Sequence, residues 1–244
     1  DHRDLHSFPT RRSSDLPCDS NAKIDAEYEA YIEKLHPGTP IYTNPAWGMA
    51  ADKNQNTATT KGTIGVLKKY TSVWCPYSWH LWDGSDALKT MKATKKPVWF
   101  YEIYTEAANQ RPQVGRDALR MLAWQSWRYD LQGMGMFSAN DTASDVWYDL
   151  DPDSNGYANY SFTYPGANGI MSSRGFEALR QGIQEYKRLY VLNKLKVDRK
   201  LLNILAETAF TAAAKQNGAA GIDAVRQQLD KLLVEETNKK INKH

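Results

Sequence analysis

Residues 97–103 read PVWFYEI, a run of apolar and aromatic side chains behind a proline, with Glu102 the first polar residue to interrupt it. The run is too short for a helix and too uniformly apolar for a strand with one wet face. It reads as a buried strand from Pro97 to Ile103. Segments of the same kind lie on either side of it in the chain. Upstream are Pro40-Ile41-Tyr42-Thr43-Asn44-Pro45 and Ser72-Val73-Trp74-Cys75-Pro76; downstream is Gly133 to Ala139, GMGMFSA. Helical patterns separate them: 61–70 (KGTIGVLKKY), Asp86 to Thr94, and Gln113 to Leu131 with Leu119, Leu122, Ala123, Ser126, Trp127 and Leu131 near one side.

Another helix precedes the first strand. Ile24, Tyr28, Tyr31, Ile32 and Leu35 recur at helical spacing, Asp19 or Ser20 can cap the start, and Pro37-Gly38 ends it. After the fourth strand comes a polar and aromatic stretch, 140–172, longer than ordinary connectors and read as a loop with a function. A helix follows from Ser173 to about Leu195, then two more over 198–244, hinged near Gly218 to Gly221.

Four alternations of short apolar strand and helix predict an α/β fold with a parallel sheet covered on both faces. Four such units make half of an eightfold barrel or a small doubly wound sheet. No G-x-G-x-x-G follows any strand, so the dinucleotide-binding form lacks its fingerprint. In barrels the ligand site collects at the C-terminal strand ends. Here those ends are Asn44, then Pro76-Tyr77-Ser78-Trp79-His80, then Glu102-Ile103-Tyr104, then Ser138-Ala139-Asn140-Asp141. All are polar or aromatic while the strand bodies are apolar. Trp and Tyr among Asn, Asp, Glu and His suit an uncharged, polyhydroxylated ligand, with ring faces stacking and polar groups taking hydroxyls.

Each of these residues also has a simpler role open to it. Trp74 and Trp99 can fill a core, His80 can sit solvated in a loop, and Glu102 can pair with a nearby Arg or Lys. Trp124 and Trp127, on a helix, read as packing groups. Asp145, Asp149, Asp151 and Asp153 miss the EF-hand spacing and read as a solvated loop.

Composition narrows the classes further. A formal net charge of +3 with Lys and Arg scattered along the chain gives no basic stripe, which speaks against nucleic acid as a partner. Cys18 and Cys75 form neither a metal-ligand spacing nor a disulfide framework, and no cofactor or metal motif is present. No run of about 18 apolar residues suggests a membrane span. Residues Asp1 to Leu16, DHRDLHSFPTRRSSDL, have no apolar period and resemble the translation of a sequencing-library adapter. They are set apart as a foreign leader, with the native chain expected to start near Pro17.

The runs VWFYEIYTEAANQRP, RMLAWQSWRYDLQGMGMFSAND, the Tyr164-Pro165-Gly166 triplet and SSRGFEALRQGIQEYKRLYVL together resemble the family-123 glycoside hydrolases and their relatives. The resemblance covers about 17 to 196. It implies a (β/α)8 catalytic barrel, truncated here to about strands five to eight over 17–196, with 197–244 as a helical tail. It also implies retaining hydrolysis of β-linked N-acetylhexosaminides, such as N-acetylgalactosaminides, in which the substrate's acetamido group is the nucleophile. In this scheme one Glu is the general acid and a neighbouring Asp orients the acetamido group, an exception to the two-carboxylate scheme. That Asp-Glu pair ends the fourth barrel strand in the family, which places it just ahead of Pro17 and outside the native part of this chain. The missing N-terminal half would be the fragment's partner, and the fragment alone would be inactive.

Strand-end position and resemblance together assign Trp74, Tyr77, Trp99 and Tyr101 to stacking and shaping a carbohydrate site. Asn140, Asp141 and Trp147 join from the last strand and long loop, with Tyr164 as a further contact or as an anchor for that loop. Glu102 is the rival catalytic candidate, a nucleophile at the end of the seventh strand. Two other readings stay open: a non-catalytic carbohydrate-binding relative, and a helical interaction module in the last fifty residues. Export from the cell is what the resemblance implies for location.

Overall fold

The computed structural model describes residues 19–45, 56–78, 81, 86–102, 115–136, 139–141, 146–147, 160–213 and 218–242. The leader 1–16, Cys18, His80 and the Asp145–Asp153 segment, apart from Val146 and Trp147, fall outside them. The chain divides into two units, Asp1–Tyr101 and Glu102–His244.

Within the first unit, α1 spans Asp19–Leu35, β1 Tyr42–Thr43, α2 Asn56–Leu67, β2 Val73–Trp74 and α3 Asp86–Ala93; β3 (Tyr101–Glu102) begins on its last residue. The order is strand, helix, strand, helix, strand, and the strand segments run parallel. Tyr42 pairs with Val73 and Thr43 with Trp74, and parallel bridges join Trp74 to Val98 and Tyr77 to Tyr101. The bonds step along the ladder in the slanted manner of parallel strands. Cys75 N–H donates to Thr43 O at 2.8 Å, Trp74 N–H to Pro97 O at 3.0 Å and Trp99 N–H to Trp74 O at 2.7 Å.

Side chains alternate across a strand, and residues paired in a parallel ladder share a face. One face therefore carries Ile41, Thr43, Trp74, Val98 and Phe100, all buried. Glu29 on α1 reaches Thr43, and Thr94 just past α3 reaches the Trp74 indole, so helices cover this face. Ile64, Leu67, Leu88 and Met91 complete that buried set. The opposite face carries Tyr42, Asn44, Cys75, Tyr77, Trp99 and Tyr101.

In the second unit, α4 spans Gly115–Arg128, α5 Arg174–Lys194, α6 Arg199–Ala213 and α7 Gly218–Ile241. Between α4 and α5 lie β4 Gly135–Met136, β5 Asn140–Asp141, β6 Tyr160–Ser161, β7 Thr163–Gly166 and β8 Gly169–Ser172. The helices α4 to α7 bury Met121, Trp124, Trp127, Leu189, Leu192, Leu202, Leu205, Ile222, Val225 and Leu229 in one cluster. Each aliphatic side chain removed from water there contributes about 1.5–3 kcal/mol before entropy is charged against it. Ser173 caps α5, its side chain accepting from Phe176 N–H at 3.0 Å.

The half-barrel expectation is corrected by this architecture. Among the described residues the strands are two to four residues long and are assigned to two-stranded sheets, while helices hold most of those residues. Parallel strand–helix alternation holds across the first three strand segments. The fourth predicted strand, 133–139, contributes only Gly135–Met136, and 137–138 lie outside the described residues. The apolar stripe of α4, read as the cover of a sheet, is buried against other helices instead. A stripe of that kind records that something apolar covers it, not whether the cover is sheet or helix.

Two further differences follow. The 140–172 stretch is not a plain loop: β5 pairs antiparallel with β6, and β7 with β8 in a hairpin from Thr163↔Ser172 to Gly166↔Gly169. In the tail, α6 ends at Ala213 and α7 opens at Gly218, so the helix break falls just ahead of the expected hinge and only Gly221 lies inside α7. At Gly221 a Cβ would come within 2.5 Å of the Ala212 Cβ, so the glycine permits α7 to close on α6. The tail helices share their core with α4 and α5. Among the described residues no helix is long and apolar enough to cross a membrane.

Candidate functional site

The opposite face of the first unit gathers Tyr77, Trp99 and Tyr101 of the aromatic residues assigned from sequence, together with Tyr42 and Asn44, which were not assigned. Tyr77 and Tyr101 lie with ring centroids 5.4 Å apart and planes tilted by 35°. Tyr42 and Trp99 meet edge to face at 6.0 Å and 65°. Trp99 is 39% exposed and Tyr42 54%, so both rings offer area to solvent. Asn44 donates from Nδ2 to the Tyr101 hydroxyl at 3.1 Å. Its Oδ1 is buried and finds no donor among the described residues. A buried acceptor without a donor costs free energy.

Cys75 sits buried on the same face and carries a free thiol. Burial pushes that thiol up to about 11, against the lowering effect of the Tyr42 hydroxyl. A thiol held that far above neutrality is protonated, so its role is packing under the rings rather than nucleophilic attack.

Trp74 does not belong to this surface. It is 0% exposed, and its Nε1 donates to Thr94 Oγ1 at 2.9 Å on the helix-covered side. No ligand can stack on it in this arrangement. Glu102 is 2% exposed, and strand alternation turns it away from the face that holds Tyr101. A nucleophile has to reach its electrophile, and this carboxylate is enclosed.

The second unit holds the remaining candidates. Asn140 and Asp141 form β5, in register with Ser161 and Tyr160. Trp147 and Tyr164 pack with ring centroids 4.7 Å apart and planes tilted by 37°. Tyr164, on β7, therefore backs Trp147, which fits the anchoring role weighed for it. Among the described residues no group of His, Cys, Asp and Glu is placed to hold a metal ion.

Sequence reading missed Tyr42 altogether and noted Asn44 only as a strand end. The phase of β1 against β2 puts both on the aromatic face, and that register is set by a partner 31 positions away. No family model matches the chain, and no curated protein is detectably similar to it.

Proposed function

We propose that the aromatic face of the first unit binds carbohydrate and is the substrate-holding part of a glycoside hydrolase acting on N-acetylhexosaminides. The observation that carries this reading is the pair of exposed rings Tyr42 and Trp99 on the face that also holds the Tyr77–Tyr101 pair and the Asn44–Tyr101 hydrogen bond. A sugar is apolar on its ring faces and polar at its edge. The exposed Trp99 ring takes the face, and the polar groups beside it take the edge hydroxyls and amide. Hydrolysis then belongs to the Asp-Glu pair that the resemblance implies upstream of Pro17, outside the native part of this chain. Trp147 on Tyr164 is a second aromatic patch of the same character in the other unit.

Titration of the full chain with N-acetylgalactosamine, N-acetylglucosamine and short oligosaccharides, followed by saturation-transfer NMR and calorimetry, tests the proposal. Binding that weakens about tenfold, or about 1.4 kcal/mol, in Asn44→Ala and in Trp99→Ala supports it. Absence of binding at millimolar sugar, or binding indifferent to both substitutions, overturns it. Turnover of an aryl N-acetyl-β-hexosaminide by the same chain would separate an enzyme from a non-catalytic binder. If turnover is seen, loss in Glu102→Ala with rescue by azide would restore Glu102 as nucleophile, against its burial.

A further inference from the structure

The first helix of the chain wears its large apolar side chains on the outside. Tyr28 and Tyr31 are each 59% exposed, Leu35 52% and Ile32 39%. Spaced three, four and seven residues apart, they make one stripe along α1. The helix meets its own unit through a different part of its circumference. Glu29 is buried and lies 2.9 Å from the Thr43 hydroxyl, while Asp25, Ala26 and Ala30 are half-buried. Small and acidic side chains thus face inward, and two tyrosines, an isoleucine and a leucine face water. A helix normally buries its apolar stripe, so this one is left for another surface to cover.

The charges beside the stripe say which surface fits. Glu27 and Lys34 are both exposed. They stand seven residues apart, close to two full turns, and so lie on the same flank of the stripe. If two copies of α1 meet along their stripes and run antiparallel, that flank faces itself end for end. Each Glu27 then stands beside Lys34 of the other copy. In the same register Tyr28 faces Tyr31 of the other copy, and Leu35 comes opposite position 24, an isoleucine. Stripe and charge pattern are therefore complementary to themselves, which is the requirement of a twofold interface.

We propose that α1 pairs antiparallel with α1 of a second copy of this chain, the twofold axis passing between the two Tyr28–Tyr31 contacts. The partner is the chain itself, held by the tyrosine, isoleucine and leucine stripe and oriented by the two Glu27–Lys34 contacts. Interfaces below about 1,200 Å² belong to weak and transient complexes. With a single helix from each copy, the dimer should form in the micromolar range.

Sedimentation equilibrium of the full chain across that range tests the pairing. The average mass should climb from that of one chain toward that of two. Tyr31→Ser combined with Ile32→Ser should keep the chain monomeric throughout. Its melting temperature in dilute solution should stay close to that of the wild type, because both side chains face water in the monomer. Glu27→Lys and Lys34→Glu should each weaken association severalfold, since each sets like charges together at both symmetric contacts. The two changes in one chain should restore it, the pairs re-forming with their signs exchanged. Should the serine variant fail to fold, the charge exchange still decides the matter. A wild-type chain that stays monomeric overturns the proposal and leaves the stripe to a different partner. A dimer that survives the serine changes, or that the double charge exchange fails to restore, overturns it equally.

Discussion

Arg120 and Glu185 form a buried ion pair across α4 and α5, with Arg120 Nε donating to both carboxylate oxygens at 2.9 and 3.0 Å. Trp124 Nε1 donates to Glu185 Oε2 at 2.7 Å, and Asp223 on α7 accepts from Arg120 Nη2 at 2.8 Å. Glu185 is 0% exposed. Two charges withdrawn from water this far recover the cost only through close geometry and saturated oxygens, both of which are present here. The pair specifies which turn of α5 meets which turn of α4.

Removing one partner should therefore be costly. Glu185→Ala leaves the Arg120 guanidinium only Asp223 of these partners and strands the Trp124 N–H in the helical core, and should destabilise the chain by about 3–5 kcal/mol. The double substitution Arg120→Met with Glu185→Leu leaves no buried charge and should lose much less. Urea unfolding of both variants checks this. Equal losses in the two would deny the pair its specifying role.

Gly182 is fixed by the same helix crossing. A Cβ at that position would lie 2.1 Å from the Arg120 carbonyl oxygen and 2.9 Å from its carbon. Backbone cannot step aside as a flexible side chain can. Gly182→Ala, although helix propensity favours Ala by about 1 kcal/mol, should destabilise by about 1–3 kcal/mol or more through overpacking. A thermal melt at or above the wild-type temperature would show that α5 can slide on α4 at little cost.

Some of this was legible in the sequence and some was not, for physical reasons. The start of α5 could be read because Ser173 and the apolar period after it are local signals, and the helix begins at Arg174 as they require. The extended character of Val98 to Glu102 could be read from side-chain type, yet ladder pairing is confined to short stretches there. The half-barrel could not be read correctly. Met121, Trp124 and Trp127 announce a buried face on α4, but the helices that cover it come from 60 or more residues downstream. The division of aromatic residues between core and surface was hidden for a similar reason. Trp74 and Trp99 look alike in sequence, and only the register of β2 against its neighbours sends one inward and the other outward.

Cys75 should be slow to react. Its thiol is buried beneath the Tyr42 side of the face and is pushed up to about 11. Reaction with a thiol reagent depends on the thiolate, which is scarce at neutral pH. Native protein at pH 7 should show Cys75 labelling well under a tenth as fast as in denaturant, with peptide mapping to separate it from Cys18. Native labelling at the denatured rate would mean that this part of the first unit opens freely.

The two tryptophans give the sharpest separation between fold and site. Trp74 is enclosed and hydrogen-bonded to Thr94, so Trp74→Ala opens a cavity and removes that hydrogen bond, at about 3–5 kcal/mol. Trp99, on the other face, is partly exposed and touches Tyr42 by its edge. Trp99→Ala should cost about 1 kcal/mol or less in stability, the worth of one aromatic pair at a half-open site. Sugar binding should respond in the reverse order: Trp99→Ala weakens it at full folding, whereas Trp74→Ala affects it only as far as folded protein is lost. Parallel denaturation and binding curves on the two variants decide this. If Trp99→Ala unfolds the chain as badly as Trp74→Ala, the aromatic face is part of a core and not a surface that meets a ligand.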